Sequence, residues 1–483
     1  MLSNDYLNWI NGKKENFPYI SPIPKDAPEG KNFPIIASGM EYNYSSSVAI
    51  KEEVYHEAKE CGMNVCNLSA VSWKKYLIEN LEYADNANVN IVFRNNNFLT
   101  DPDFLRLLTE GEEFKNLLEH IGGFNSIDEP SLVVINGEKE FIKEKNGDKY
   151  FLPECYKTLL SQNPPFNLYI NLVSSPDPVP LDPEYKNEAE KAAAEYLEFL
   201  QFYQDYYKPA FFSFDLYPIT EGAKLLYEGI NAVDNGEPTL EEGQVYVDSG
   251  RLFYNLQLFS EFSKKYNRPF WIYLQSMCHM FFDTVRFRPL ALEQYLRFEA
   301  FTALAYGCKG MAYWTYAMRL NGQNDDGQTT EVYFSALLDR KGKKTASWYF
   351  AQKINEEVQK YSDIFLNGTI ESVDKTDNKL FYFNNFIIGF LTETGSPDME
   401  DKEDKDRNYI VVTKISHKNN TYFVIVNTDA LNYHTLYINV QGNNIYELTP
   451  KTSKGEINTV LKKGDHERVL IPGGYRIFKT YLF

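Results

Sequence analysis

Cysteine is scarce in this chain, with five in 483 residues (Cys61, Cys66, Cys155, Cys278 and Cys308). An odd count, with four of the five in apolar runs, excludes a disulfide framework and reads as free buried thiols. Cys61 and Cys66 lack the spacing of a zinc knuckle. Histidine is scarce too: the six are scattered, with no HxxxH or HxH pair. No metal site and no cofactor are therefore expected. Positive charge is in deficit, 49 Lys and Arg against 67 Asp and Glu, for a net charge of -18. So acidic a surface repels phosphate backbones and anionic headgroups, which argues against a nucleic-acid partner. No run of eighteen apolar residues occurs, so no membrane span is expected. The start "MLSNDYLNWINGKK" has no basic segment followed by an apolar stretch. As it stands the chain reads as soluble and cytoplasmic, or as periplasmic or secreted if a signal peptide once preceded it.

Aromatic residues are plentiful, with 36 Tyr and 34 Phe against five Trp. Core filling explains them more simply than sugar-stacking platforms do. After a Pro-rich arm at 17–34, short apolar runs alternate with helical patterns. Eight runs read as strands: "PIIASGM" (34–40), "MNVCNLS" (63–69), "NIVFRN" (90–95), "GFNSID" (123–128), "NLYINLV" (167–173), "FFSFDLY" (211–217), "FWIYLQS" (270–276) and "GMAYWTY" (310–316). Segments between them, such as "GRLFYNLQLFSEFSKKY", repeat apolar residues every three or four positions. Eight such units predict an α/β fold, a (β/α)8 TIM barrel over residues 1–365 including the arm. From 366 to 483 the period changes to two, which predicts a C-terminal antiparallel β-sandwich domain. "FIKEKNGDKYF" (141–151) predicts an inserted hairpin at 132–150 that leaves strand four at its carboxyl end. The acidic stretch "DMEDKEDKDR" has no ordered calcium-ligand spacing and reads as a solvated loop.

In such a barrel the chemistry lies at the carboxyl ends of the strands. The polar or aromatic residues there are Glu41, Asn67, Arg94, Asp128, Glu129, Asn171, Asp215, Tyr217, Gln275, Trp314 and Tyr316. "DEP" at 128–130 sets two carboxylates before a proline; read structurally, Asp128 caps a turn that Pro130 opens. "SFDLYPI" (213–219) ends a second strand in an acid. Its structural reading pairs Asp215 with Arg94 in the barrel mouth.

These stretches resemble the retaining barrel glycosidases of clan A, in particular the family 42 β-galactosidase-like barrels of gut bacteria. The likeness spans roughly residues 30 to 360. In that clan strand four ends in Asn-Glu, which puts the general acid/base on Glu129. "FDLYP" (214–218) is similar to the family's strand-six WDxYP, and "PFWIYLQSM" (269–277) to its strand-seven PFxLMEQSP. "RFEAFTALAYGCKGMAYWTY" (297–316) fits the last helix and strand. Two positions depart from the pattern: Asp128 stands where the clan has Asn, and Leu274 stands at the nucleophile position. No Asp or Glu lies between 269 and 282, so the clan's double displacement has no nucleophile here.

The resemblance therefore implies a hydrolase acting on a glycoside or oligosaccharide with Glu129 as general acid and Asp215 or Asp128 activating water. Strand ends two strands apart sit about 9 to 10 Å from each other, close to the roughly 6.5 to 9.5 Å of inverting pairs. The alternative is a catalytically degenerate barrel that binds carbohydrate, with Tyr313, Trp314 and Tyr316 as stacking surfaces. A simple alternation of "YWTY" between barrel interior and helix layer explains those aromatics more simply. Sugar, linkage and oligomeric state are not legible.

Overall fold

The computed structural model describes residues 19–28, 30–40, 51–69, 73–94, 117, 119–135, 138–145, 148–151, 167–175, 186–222, 244–281, 286–288, 291–317, 319–323, 329–334, 336–339, 342–376, 381–383, 386–390, 410–448 and 458–481. Eight strands, β1 (Ile35–Ser38), β2 (Val65–Ser69), β3 (Asn90–Arg94), β4 (Ile121–Asp128), β5 (Asn167–Val173), β6 (Phe212–Asp215), β7 (Phe270–Gln275) and β8 (Gly310–Trp314), close a barrel in sequence order. Every barrel pairing is parallel. β1, β7 and β8 are buried along their whole length, which is why they read as continuous apolar runs rather than alternating ones.

Between the barrel strands lie α1 (Glu52–Glu60), α2 (Trp73–Ala87), α3 (Lys186–Tyr207), α4 (Ser249–Tyr266) and α5 (Glu293–Ala305), followed by α6 (Ala346–Lys360) and α7 (Ser362–Asn367). α4 shows how local sequence sets an element. Asp248 caps its start by accepting from the Arg251 N–H at 3.1 Å, and Asn267 ends it in the left-handed region with φ 51°. Its buried stripe includes Leu252, Leu256 and Phe259, and Phe259 stacks on Phe214 of β6 at 4.2 Å.

The arm seals the amino-terminal end of the barrel. Asn167, first residue of β5, exchanges hydrogen bonds with the backbone of Ile20 in both directions, and Asn90, first residue of β3, donates to the Pro22 carbonyl at 2.9 Å. Any mouth is therefore at the carboxyl end, where two further sheets arise. One is a three-stranded meander of Ser131–Ile135, Glu138–Lys145 and Asp148–Phe151, leaving β4 at its carboxyl end. It has one strand more than the hairpin predicted there, because Ser131–Ile135 pairs immediately after Pro130. The other is a six-stranded antiparallel sheet in the order 244–247, 219–222, 286–288, 278–281, 329–334, 319–323. Its strands come from the connections after β6, β7 and β8.

The chain divides into two compact units that are not contiguous in sequence. The first is Met1–Pro28, Pro34–Leu290 and Gly310–Tyr349; the second is Glu29–Phe33, Ala291–Lys309 and Phe350–Phe483. Within the second, a six-stranded and a four-stranded antiparallel sheet face one another over a core that includes Ile388, Val412, Phe423, Ile425, Leu436 and Phe478. α5 belongs to this unit: Phe301 stacks on Tyr475 at 3.9 Å, and Thr413 donates to the Ala305 carbonyl at 2.7 Å. The acidic stretch lies outside the described residues.

Candidate active site

β4 and β5 pair with a register shift between Asn125 and Asp128, after which Asp128 stands opposite Asn171. The next residue, Glu129, is half-buried with φ 46° and donates its N–H to the Asn171 carbonyl at 2.8 Å. A non-glycine residue in the left-handed region is uncommon and costs on the order of 1 to 2 kcal/mol. Pro130, buried, follows and opens the meander.

Both Asp128 oxygens are engaged. The Arg94 guanidinium pairs with Oδ2, and Oδ1 accepts from Asn171 Nδ2 at 3.3 Å. The same Nδ2 reaches Asp215 Oδ1 at 3.1 Å. Those two aspartate oxygens are thus no farther apart than two hydrogen bonds laid end to end, shorter than the two-strand spacing of about 9 to 10 Å. Ser213 donates its hydroxyl to Asn171 Oδ1 at 3.0 Å. Arg94 lies over the Trp314 ring, its guanidinium carbon 4.9 Å from the centroid. The Arg94 and Asp128 side chains keep 25% and 23% exposure, so solvent reaches the cluster.

Two tyrosines lie below it. Tyr169 and Tyr273 are buried with hydroxyls 3.4 Å apart. Burial pushes the Tyr273 phenol up to about 12, with Asp128 and Asp215 adding and Tyr169 and Arg94 opposing. Burial and Tyr273 likewise hold Tyr169 well above the usual phenol range. Neither phenol is an ionised group at neutral pH. Tyr196, also raised by burial and then by the Asp215 charge, donates to the Val173 carbonyl at 2.6 Å. Asn67 and Ser38 are fully buried on adjacent strands, in register, and the Asn67 side chain lies beside the Tyr169 hydroxyl, where it opposes the effect of burial.

The structure thus gathers Arg94, Asp128, Asn171, Asp215 and Trp314 from five strands, with Glu129 joined through its backbone. Arg94 takes Asp128, not the Asp215 of the structural reading of "SFDLYPI". Gln275 is turned to another use: its amide donates to the Ile219 carbonyl at 3.0 Å and accepts the Ile219 N–H at 3.2 Å. It therefore anchors the six-stranded sheet, with both ends of its carboxamide occupied by backbone. Tyr316 is fully buried, accepts from the Trp348 indole N–H at 3.3 Å, and is pushed well up by burial and then by Cys61. Its hydroxyl faces α1 and α6 rather than the carboxylates. Tyr313 is also fully buried. Tyr217 is half-buried in the turn between β6 and Ile219, and Glu41 lies outside the described residues. Sequence reading missed Ser213, Tyr169 and Tyr273. Ser213 could have been found, since it shares a strand face with Asp215.

Among the described residues no group of three or more His, Cys, Asp or Glu could hold a metal ion. Cys61, Cys66, Cys278 and Cys308 are buried thiols in no disulfide among the described residues, and Cys155 lies outside those residues. No helix among those residues is long and apolar enough to cross a membrane.

No family model matches the chain, and no curated protein matches it. Solved structures do. A noncanonic maltogenic α-amylase from Thermotoga neapolitana is similar at 10% identity and TM-score 0.40, covering 94% of this chain and 99% of that one. The β-galactosidase of the psychrophilic Marinomonas ef1 has 10% identity and TM-score 0.35 over 68% of this chain and 59% of that one. Xylanase 10B of Thermotoga maritima has 11% identity and TM-score 0.35 over 68% and 97%. At these identities and scores the likeness assigns neither activity nor residue roles to this chain.

Proposed function

We propose that the protein is a glycoside hydrolase that cleaves an O-glycosidic bond in an oligosaccharide by inversion, with Glu129 as general acid and Asp215 as general base. What supports this reading is that the Asp128 and Asp215 carboxylates meet on the Asn171 amide, with the Glu129 backbone N–H on the Asn171 carbonyl, at the carboxyl end of a closed barrel where Arg94 and Asp128 keep partial exposure. Asp128 already faces donors at both oxygens, the Arg94 guanidinium and the Asn171 amide, which ties it to the wall of the site. Its role is to hold Arg94 across the site. Glu129, turned out of the strand by its left-handed backbone, is the carboxyl that protonates the glycosidic oxygen. Asp215 takes a proton from water on the opposite face, and the partly exposed Arg94 guanidinium, backed by the Trp314 ring, faces the sugar. Family 42 membership is part of the same proposal and rests on the short motifs at strands four, six and seven.

A screen of nitrophenyl glycosides and plant oligosaccharides tests the reading. Removing a general acid costs on the order of 10² to 10⁴ in rate while ligand contact survives, so Glu129→Gln abolishes turnover and spares sugar binding. Asp215→Asn is comparably damaging. Proton NMR of the fresh product shows the anomer opposite to that of the substrate; a retained anomer refutes the scheme. A second reading, a barrel that binds carbohydrate without turnover, is favoured by one observation: β7 ends in a buried Leu274 and in a Gln275 committed to Ile219. Sugar binding unaffected by either substitution, with no turnover of any glycoside, establishes that alternative.

A further inference from the structure

We propose that Asn171 is a positioning residue that fixes Asp128 and Asp215 relative to one another and touches no substrate; this rests on the hydrolase reading above. The sequence places it among the polar residues at the carboxyl strand ends, where a sugar would bind. Its bonding leaves little for a sugar. Asn171 is 4% exposed, its Nδ2 is shared between Asp128 Oδ1 and Asp215 Oδ1, and its Oδ1 accepts from Ser213. Its own N–H faces Asn125 Oδ1 at 3.4 Å, and its carbonyl takes the Glu129 N–H.

The two carboxylates decide which way the carboxamide points, and the Ser213 hydroxyl, which can donate or accept, donates to the end that remains. Nδ2 is thus the end facing the carboxylates, and an amide nitrogen has two protons, one for each aspartate. The flipped amide would set an acceptor against two carboxylates. Two anionic side chains held this close repel each other, and a donor between them offsets that repulsion. Asn171 thus places the base while its backbone carbonyl holds the turn on which the acid sits.

An isosteric substitution separates this role from space filling. Asn171→Asp keeps the shape but replaces the shared donor with a third carboxylate, whereas Asn171→Ala only removes the donor. Misplacing a catalytic group by about 1 Å costs on the order of 10²-fold, so Asn171→Ala lowers kcat of the most active nitrophenyl glycoside by roughly ten- to a hundredfold and leaves KM near the wild-type value. Asn171→Asp is the worse of the two at neutral pH and recovers relative to wild type as pH falls and its added carboxyl takes up a proton. Ser213→Ala, which removes the hydroxyl that steadies the Asn171 Oδ1, lowers kcat in the same way but less.

Thermal stability gives the readout that needs no substrate. In Asn171→Asp the crowded carboxyl binds its proton more tightly folded than unfolded. The variant's deficit in melting temperature is therefore largest at neutral pH and narrows as pH falls from 8 to 5, whereas that of Asn171→Ala, which adds no third carboxyl, narrows much less over the same range. A raised KM with unchanged kcat in Asn171→Ala overturns the proposal, because it makes Asn171 a substrate ligand. An Asn171→Asp variant milder than Asn171→Ala at every pH overturns it as well. If the wild type turns over no glycoside yet the melting signature holds, the hydrolase reading falls and the positioning of the two aspartates by Asn171 stands.

Discussion

Gln275 and Asn171 carry the same functional group on strands two apart, and the fold spends them differently. Gln275 pairs with both backbone groups of Ile219, as a neighbouring strand would. Gln275→Leu leaves a buried N–H and C=O unpaired, at about 1 to 3 kcal/mol for each unsatisfied group. Thermal unfolding should fall by several degrees while sugar affinity of the folded variant is unchanged; a variant with normal melting and weakened sugar binding would return Gln275 to the pocket. Arg94 is the opposite case. Lysine keeps its charge but not the planar group that lies on Trp314 while pairing with Asp128, so Arg94→Lys should lose most activity in the glycoside screen with little change in melting temperature. At this scale the sequence drew attention to Arg94, Asp128, Asn171, Asp215 and Trp314 because polar or broad aromatic residues at the ends of apolar strands stand out. It could not separate them from Gln275 and Tyr316. A side chain that satisfies backbone or a neighbouring indole carries the same letter as one that faces a ligand, and only the register decides.

Elements were legible where their period ran long enough. The eight barrel strands and the alternating C-terminal region announced themselves, because a buried parallel strand is an apolar run and a sandwich strand repeats every two residues. The six-stranded sheet was not legible, since its strands are three to six residues long and their pairing partners lie in different connections. Packing between elements yields its own test. A Cβ on Gly310, first residue of β8, would lie 2.5 to 2.7 Å from the Trp271 ring, and that ring is stacked on Phe211 at 4.1 Å. Gly310→Ala should therefore destabilise by about 1 to 3 kcal/mol, seen as a lower midpoint in urea. Asn267→Gly, at the left-handed end of α4, should shift the midpoint the other way, by about 0.5 to 1 kcal/mol. Equal and small effects at both positions would mean that β7 and β8 yield more readily than the contacts imply.

For the molecule as a whole, Lys309 and Asp429 each make stability depend on pH. Burial brings the Lys309 ammonium down to about 8 against the weaker effect of Cys308, while in the unfolded chain a lysine titrates near 10.4. The unfolded state thus holds more protons between these values, and stability rises with pH across that window. Lys309→Met should melt higher than wild type at pH 7, with the gap closing toward pH 10; a gap constant with pH would show that the amine is solvated. At the acid end, burial alone would lift the Asp429 carboxyl, but the His434 ring and the Leu431 and Asn432 amides outweigh it and hold it low. Its contribution is present above about pH 3.9 and lost as pH falls below, so Asp429→Asn should flatten the acid limb of the melting curve. The six-stranded sheet has a consequence for anyone who would remodel the mouth. Its ladder joins the returns of β6, β7 and β8, with 219–222 bonded to 286–288 and 278–281 bonded to 329–334. These three loops form one woven panel. A single loop transplanted from another barrel would strip its neighbours of backbone partners, so any exchange that keeps the protein folded has to move all three together.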